Sequence, residues 1–160
     1  MLAYVVLKTV HVTCAFLFLG TGLGSAFYKY RADRSDDLRV VAWCQRQVVL
    51  ADWLFTVPSG VLLPITGGAL VWVSGLSWTA PWIVAGFIGY AIAGVCWLPA
   101  AYFQLQMRKM AEAALRDGTE LPARFHAQAR AWTWLGIPSF LAAAITVVMM
   151  VSKGAYILTW

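Results

Sequence analysis

Apolar residues fall into four long blocks separated by polar connections, instead of alternating with polar residues along the chain. Each block is at least about 20 residues long, enough for a helix to cross roughly 30 Å of hydrocarbon. Helices are required, because lipid offers no hydrogen-bond partners to backbone N–H and C=O groups. The pattern predicts an all-α membrane protein, a four-transmembrane-helix up-down bundle in one membrane domain over residues 1–160. The predicted spans are Leu2–Tyr28, Val48–Val73, Trp82–Gln106 and Ala131–Val151.

The connections between the blocks differ sharply in charge. Ten of the twelve Lys and Arg residues lie in the connections 29–47 and 107–130, whereas Ser74–Pro81 carries no charge. Connections rich in Lys and Arg stay in the cytoplasm. Both charged connections are therefore predicted to be cytoplasmic, with both termini and the neutral connection outside. Lys29 is interpreted as part of this topological signal.

Capping residues indicate that helices extend into the charged connections. The run Ser35–Asp37 suits the start of a helix leading into the second span. Residues 107–116 continue the third span as a polar helix, and Gly118 suits its end. Pro122 suits the first turn of the helix leading into the fourth span. Four further prolines lie inside spans, where each frees a carbonyl and favours a kink: Pro58, Pro64, Pro99 and Pro138.

Composition supports a membrane protein and excludes several other classes. Hydrophobic residues make up 61% of the chain and charged residues 12%, whereas a soluble domain carries about 25% charged residues. The net charge of +5 does not indicate nucleic-acid binding, because the basic residues lie where they set topology. The three cysteines form no disulfide or zinc pattern. No motif of a soluble enzyme is present.

His11 is the first candidate functional residue, because it lies inside the first span. It is about 14 Å from the start of the helix at 1.5 Å per residue, near mid-membrane. A neutral imidazole there can bind haem iron or another metal, relay protons, or hydrogen-bond a neighbouring hydroxyl or carbonyl. Lys8 lies one turn nearer the outside, where its ammonium either reaches the headgroups or binds an anionic group above His11. Cys14 shares the same helical face.

Asp52 is the one acidic residue in any predicted span. It lies about one turn inside the predicted cytoplasmic boundary of the second span. Two interpretations remain open: a proton relay, or an interfacial ion pair with a nearby arginine. His126 lies on the same side, about 20 Å from His11 by helix rise, so one haem is not expected to join both histidines. The candidate arginines for Asp52 are Arg46, Arg108 and Arg130.

Small residues recur in the first two spans. They permit close contact between helices or dimerisation, and they equally leave room for a flat cofactor. The sequence leaves these alternatives open. The residues are Gly20, Gly22 and Gly24 in the first span and Gly60, Gly67 and Gly68 in the second.

A set of short motifs is spread over the first three spans: Lys8–His11, Phe18–Gly24, Tyr28, Asp52–Pro58, Pro64–Gly67 and Cys96–Pro99. Together they resemble a bacterial family of predicted integral membrane proteins, the domain-of-unknown-function twenty-two sixty-nine family. The resemblance covers nearly the whole chain. It implies a multi-pass protein of the bacterial cytoplasmic (inner) membrane, but it implies no particular activity.

His11 followed by a glycine-rich segment is also similar to the HemJ-type protoporphyrinogen oxidases and the CopD-type copper-resistance proteins. The first resemblance implies haem binding and tetrapyrrole oxidation, and the second implies copper handling. His11 carries over as the metal ligand, and Gly20 and Tyr28 carry over by position as cofactor-binding residues. Unlike the HemJ-type proteins, which have a basic residue in a later helix, this chain has no Lys or Arg inside its later spans.

Three functional hypotheses follow. The first is a haem-binding or redox-linked membrane protein, in which His11 binds haem b and Lys8, Gly20 and Tyr28 contribute to cofactor binding. The second is a copper-handling protein in which His11, Cys14 and membrane methionines act as soft ligands. The third is a non-catalytic membrane scaffold or subunit. The expected partners are the lipid bilayer, a second copy of the chain and a redox partner, but no nucleic acid; enzyme activity is left open.

Overall fold

The computed structural model describes residues 1–153, and every element in that range is helical. Four helices there are long and apolar enough to cross a membrane. The predicted fold class is therefore confirmed, while the side of the membrane on which the termini lie stays a prediction. The elements are α1 (Leu2–Ala32), α2 (Leu38–Ala51), a π-helical segment (Asp52–Thr56), α3 (Val57–Val73), α4 (Pro81–Asp117) and α5 (Ala123–Ser152).

The helices extend beyond the predicted spans and shorten the charged connections to two turns, residues 33–37 and 118–122. Asp37 caps α2 by accepting a hydrogen bond from the backbone N–H of Arg39 at 2.8 Å. Gly118 ends α4 in the left-handed conformation, with φ at 65°. The capping residues thus act as the sequence indicated. The end of the bundle with these turns is called the charged end, and the end with residues 74–80 the neutral end.

Two helix pairs form the membrane part of the bundle. α1 packs along α3, and α4 packs along α5. The second pair approaches closely because α4 presents small buried residues, among them Gly86, Gly89 and Ala93. A Cβ atom added at Gly89 would lie 2.1 Å from Oγ1 of Thr146 on α5. The absence of a side chain therefore sets the distance between these two helices.

The two pairs are joined mainly at the charged end. There α2 packs against both α1 and α4. A buried apolar cluster lies at this junction, consisting of Val41, Ala42, Met107, Ala111 and Phe125. Nearer the neutral end, the hydroxyl of Tyr90 on α4 donates to the carbonyl of Gly60 on α3 at 2.7 Å.

The π-helical segment lies just before Pro58. Pro58 has no N–H to donate to the carbonyl of Leu54, so regular α-helical bonding is interrupted here. A π-helical turn holds an extra residue and is frequently found at functional sites. The irregularity expected from this proline is present, and it begins at Asp52, the acidic residue of the second span.

Candidate functional site

His11 faces α3, where Thr66 holds its ring. Nδ1 of His11 lies 2.9 Å from Oγ1 of the buried Thr66. The Thr66 hydroxyl donates to the carbonyl of Leu62 at 2.7 Å, and a hydroxyl has one proton. When that proton goes to Leu62, Nδ1–H of His11 is the donor in the contact with Thr66. This tautomer leaves the lone pair on Nε2.

The absence of a side chain at Gly67 leaves space for the His11 ring. A Cβ atom added at Gly67 would lie 3.2 Å from Cε1 of His11, which is tighter than an ordinary van der Waals contact. The glycines of α1 differ. No atom of a neighbouring element within residues 1–153 lies within 4 Å of a Cβ added at Gly20, Gly22 or Gly24. These three positions do not serve close helix contact within the described chain.

The other proposed cofactor-binding residues do not converge on His11. Lys8 is exposed, with its Nζ 5.8 Å from the ring centroid of Tyr4. Gly20 and Tyr28 lie about 13 Å and about 25 Å farther along α1 at 1.5 Å per residue. Tyr28 is 64% exposed. These residues share a helix with His11 but form no common pocket around its ring.

Cys14 lies one turn beyond His11 on α1 and is buried. The two side chains are neighbours on one helical face. Within residues 1–153, no group of three or more His, Cys, Asp or Glu residues is placed to hold a metal ion. Within the described chain, His11 and at most Cys14 could therefore act as metal ligands here, and two ligands do not complete a coordination shell.

A buried polar cluster at the charged end is centred on Lys29, which is 1% exposed. Its ammonium forms an ion pair with Asp33. The same ammonium lies 5.6 Å from the ring centroid of Phe125 and 5.2 Å from that of Trp132, a cation–π arrangement. Nε2 of Gln45 donates to Oδ1 of Asp33 at 3.2 Å. Lys29 therefore does more than set topology, because it packs α1 against α5.

Asp52 belongs to a second polar group that adjoins this cluster. Its carboxylate accepts hydrogen bonds from Oγ1 of Thr56 at 2.7 Å and from Nε2 of Gln104 at 2.8 Å. Oε1 of Gln104 accepts from Nε1 of Trp132 at 2.9 Å. The ring of Trp132 also faces Lys29, so the two groups meet at one side chain.

The arginines considered as partners of Asp52 lie elsewhere. Nε of Arg108 is 3.1 Å from Oε1 of Glu112, and Nε of Arg46 is 3.9 Å from the same oxygen. Asp52 is therefore held by neutral donors in the described chain. Its role as a proton relay stays a hypothesis.

Sequence reasoning did not identify the Lys29 cluster as a site, although signals were available. Lys29 and Asp33 are four residues apart, the spacing of an ion pair on a helix. Gln104 lies inside a predicted span, where a polar side chain needs a partner. No local sequence pattern indicates the tertiary packing that brings Phe125 and Trp132 close to Lys29.

Residues 5–154 match the family described as predicted integral membrane proteins, DUF2269. The chain belongs to this family. Membership agrees with the four long apolar helices and establishes a multi-pass integral membrane protein that sits in a lipid bilayer. Comparisons with curated proteins and with solved structures find no match, so the similarity to HemJ-type and CopD-type proteins stays a hypothesis.

Proposed function

We propose that this DUF2269 protein is a haem-binding, redox-linked membrane protein whose axial ligand is Nε2 of His11. The contact between Nδ1 and Thr66 at 2.9 Å supports this proposal most directly. A histidine that binds a metal commonly donates its other N–H to a protein oxygen, which fixes the tautomer and the ring orientation. The hydroxyl oxygen of Thr66 would accept that N–H, which would leave on Nε2 the lone pair that iron needs.

The donors near His11 fit a porphyrin better than a bare metal ion. A porphyrin brings four nitrogen ligands of its own, so one histidine is enough to attach haem to the protein. A bare metal needs several protein donors, and residues 1–153 group no three candidates together. Bound haem would supply one-electron transfer.

Lys8 supports the same proposal by its position. It lies one turn from His11 toward the neutral end of α1, and its side chain is exposed rather than engaged by another helix. A flexible ammonium at that point is suited to pair with a propionate of a porphyrin bound at His11. The proposal does not require Gly20 or Tyr28, which lie farther along α1.

The test is the absorption spectrum of the protein purified in detergent from haem-supplied cells. We expect a Soret band that is lost in His11→Ala and retained in His126→Ala. His126 is the matched control, because it is the other histidine of the chain and lies exposed at the start of α5. A colourless wild-type protein, or a band that survives His11→Ala, would contradict the proposal.

Copper handling is the second candidate, because Cys14 is buried one turn from His11. Thiolate and imidazole are suitable ligands for Cu(I). Elemental analysis of the same preparation separates the candidates, since copper without haem favours this alternative. A preparation with neither leaves the scaffold or subunit role.

A further inference from the structure

Two buried amide oxygens lie at the charged end without a protein donor. They are Oε1 of Gln45 and Oε1 of Gln128, and no donor among residues 1–153 is within hydrogen-bonding distance of either. Gln45 is 0% exposed and Gln128 is 8% exposed. A buried carbonyl oxygen without a donor is costly, so native structures nearly always supply one.

Both oxygens belong to the surroundings of Lys29. Nε2 of Gln45 donates to Asp33, the ion-pair partner of Lys29, and Oε1 is attached to the same carbon as that nitrogen. Gln128 lies on α5 one helical turn from both Phe125 and Trp132, whose rings face the Lys29 ammonium. Residues three and four apart share a helical face. Gln45 on α2 thus lies beside the Lys29 ion pair, and Gln128 lies on the face of α5 that carries the two rings.

The Lys29 ammonium has N–H donors that no acceptor among the described residues occupies. An ammonium group carries three protons, and Asp33 is the one hydrogen-bond acceptor that the described residues offer it. The aromatic rings attract the charge but accept no ordinary hydrogen bond. This region thus combines one ammonium that has N–H groups to spare with two amide oxygens that have no donor among residues 1–153.

We propose that a water molecule binds here, accepting a hydrogen bond from the Lys29 ammonium and donating hydrogen bonds to Oε1 of Gln45 and Oε1 of Gln128. The two protons and the lone pairs of water match these groups, and buried waters typically make about three hydrogen bonds. A metal cation fits worse, because the Lys29 ammonium would repel it. An anion fits worse too, because it would face two carbonyl oxygens. The water joins α1, α2 and α5 and is independent of any cofactor at His11.

The first test is the thermal midpoint of Gln128→Met in detergent. The Gln128 side chain makes no hydrogen bond to residues 1–153, so replacing it with Met removes an acceptor without breaking a hydrogen bond within the protein. If water satisfies that acceptor, the midpoint falls. If the oxygen is truly unpaired, the midpoint rises, because a desolvation cost is removed. Gln104→Met is the control that must lower the midpoint, since both ends of that amide are bonded.

The second test is an experimental structure of the intact protein in which the Lys29 side chain and its neighbours are resolved. We expect a solvent peak within hydrogen-bonding distance of Nζ of Lys29 and both amide oxygens. The peak should disappear, or lose one contact, in Gln128→Met. A wild-type map without such a peak, or a higher midpoint for Gln128→Met, overturns the proposal.

Discussion

The hydroxyl of Tyr90 donates a hydrogen bond to the carbonyl that Pro64 leaves without a helical partner. That carbonyl belongs to Gly60, four residues before Pro64, and the donor–acceptor distance is 2.7 Å. In an ordinary helix the N–H of residue 64 would occupy it, but proline has none. In lipid an unpaired carbonyl is especially costly. One hydrogen bond thus repairs the proline break in α3 and joins α3 to α4.

Tyr90→Phe should destabilise the protein by about 1–2 kcal/mol, because it leaves the part-buried Gly60 carbonyl without a donor. The same change made in a Pro64→Ala background should cost less, since an alanine at that position supplies the missing N–H. Denaturant unfolding in detergent of the two single variants and the double variant measures this coupling. Equal costs in both backgrounds would show that Pro64 is not the reason for the bond.

Gly89→Ala should destabilise the contact between α4 and α5 by about 1–3 kcal/mol. The new Cβ would lie 2.1 Å from Oγ1 of Thr146, and the backbone oxygen of Ala142 is 3.3 Å away. Thr146 is β-branched and stiff, so it cannot move aside easily. The measurement is the thermal midpoint in detergent.

Gly94→Ala is the control for this prediction. An added Cβ there meets nothing within 4 Å among residues 1–153, and Ala favours a helix over Gly by about 0.5–1 kcal/mol. Gly94→Ala should therefore be neutral or stabilising. If both variants behave alike, the small residues of α4 do not set its distance from α5.

Lys29→Met should destabilise the protein by about 3–5 kcal/mol, because it leaves the Asp33 carboxylate without its buried partner. Adding Asp33→Leu should recover much of the loss, since no unpaired charge remains. Arg116→Met is the control, because the Arg116–Asp117 pair is solvent-exposed and such pairs contribute about 0–1 kcal/mol. Unfolding of all variants in the same detergent decides the comparison. A small cost for Lys29→Met would show that this ion pair is not buried in the membrane protein.

Thr66→Val should weaken haem binding about 10–100-fold if His11 is the ligand, because the group that orients its ring is lost. The haem spectrum should also shift, which a loss of packing alone would not produce. Thr9→Val is the matched control, since the Thr9 hydroxyl donates to the carbonyl of Val5 within α1 at 2.9 Å. Haem titration of both variants measures the difference. Unchanged affinity and spectrum in Thr66→Val would remove the proposed positioning role.

Cysteine labelling tests the prediction that the charged end of the bundle faces the cytoplasm. A membrane-impermeant thiol reagent applied to whole cells should label Ser77→Cys at the neutral end and not Arg34→Cys at the charged end. Cys14 and Cys44 are buried, and the unmodified protein measures any background. Labelling of Arg34→Cys alone would show that the topology is the reverse of the predicted one.

Much of the fold could be predicted from local sequence signals. Lipid forces long apolar segments to become helices, and the caps at Asp37 and Gly118 act on adjacent backbone. The candidate site was harder to predict from the sequence. His11 was recognisable as a buried polar side chain, but its partner Thr66 lies 55 residues away, and no periodicity specifies such a contact.

The amino-acid sequence by itself determined the number of spans, the helix ends at Asp37 and Gly118, and which polar residues lie inside the membrane spans. These properties depend on hydrophobicity and on backbone geometry within a few residues. Only the tertiary structure decided that Thr66 holds His11, that Tyr90 donates to the carbonyl freed by Pro64, and that Lys29 packs against two aromatic rings of α5. Those contacts depend on how separate helices pack, because a side chain far away along the chain completes each one.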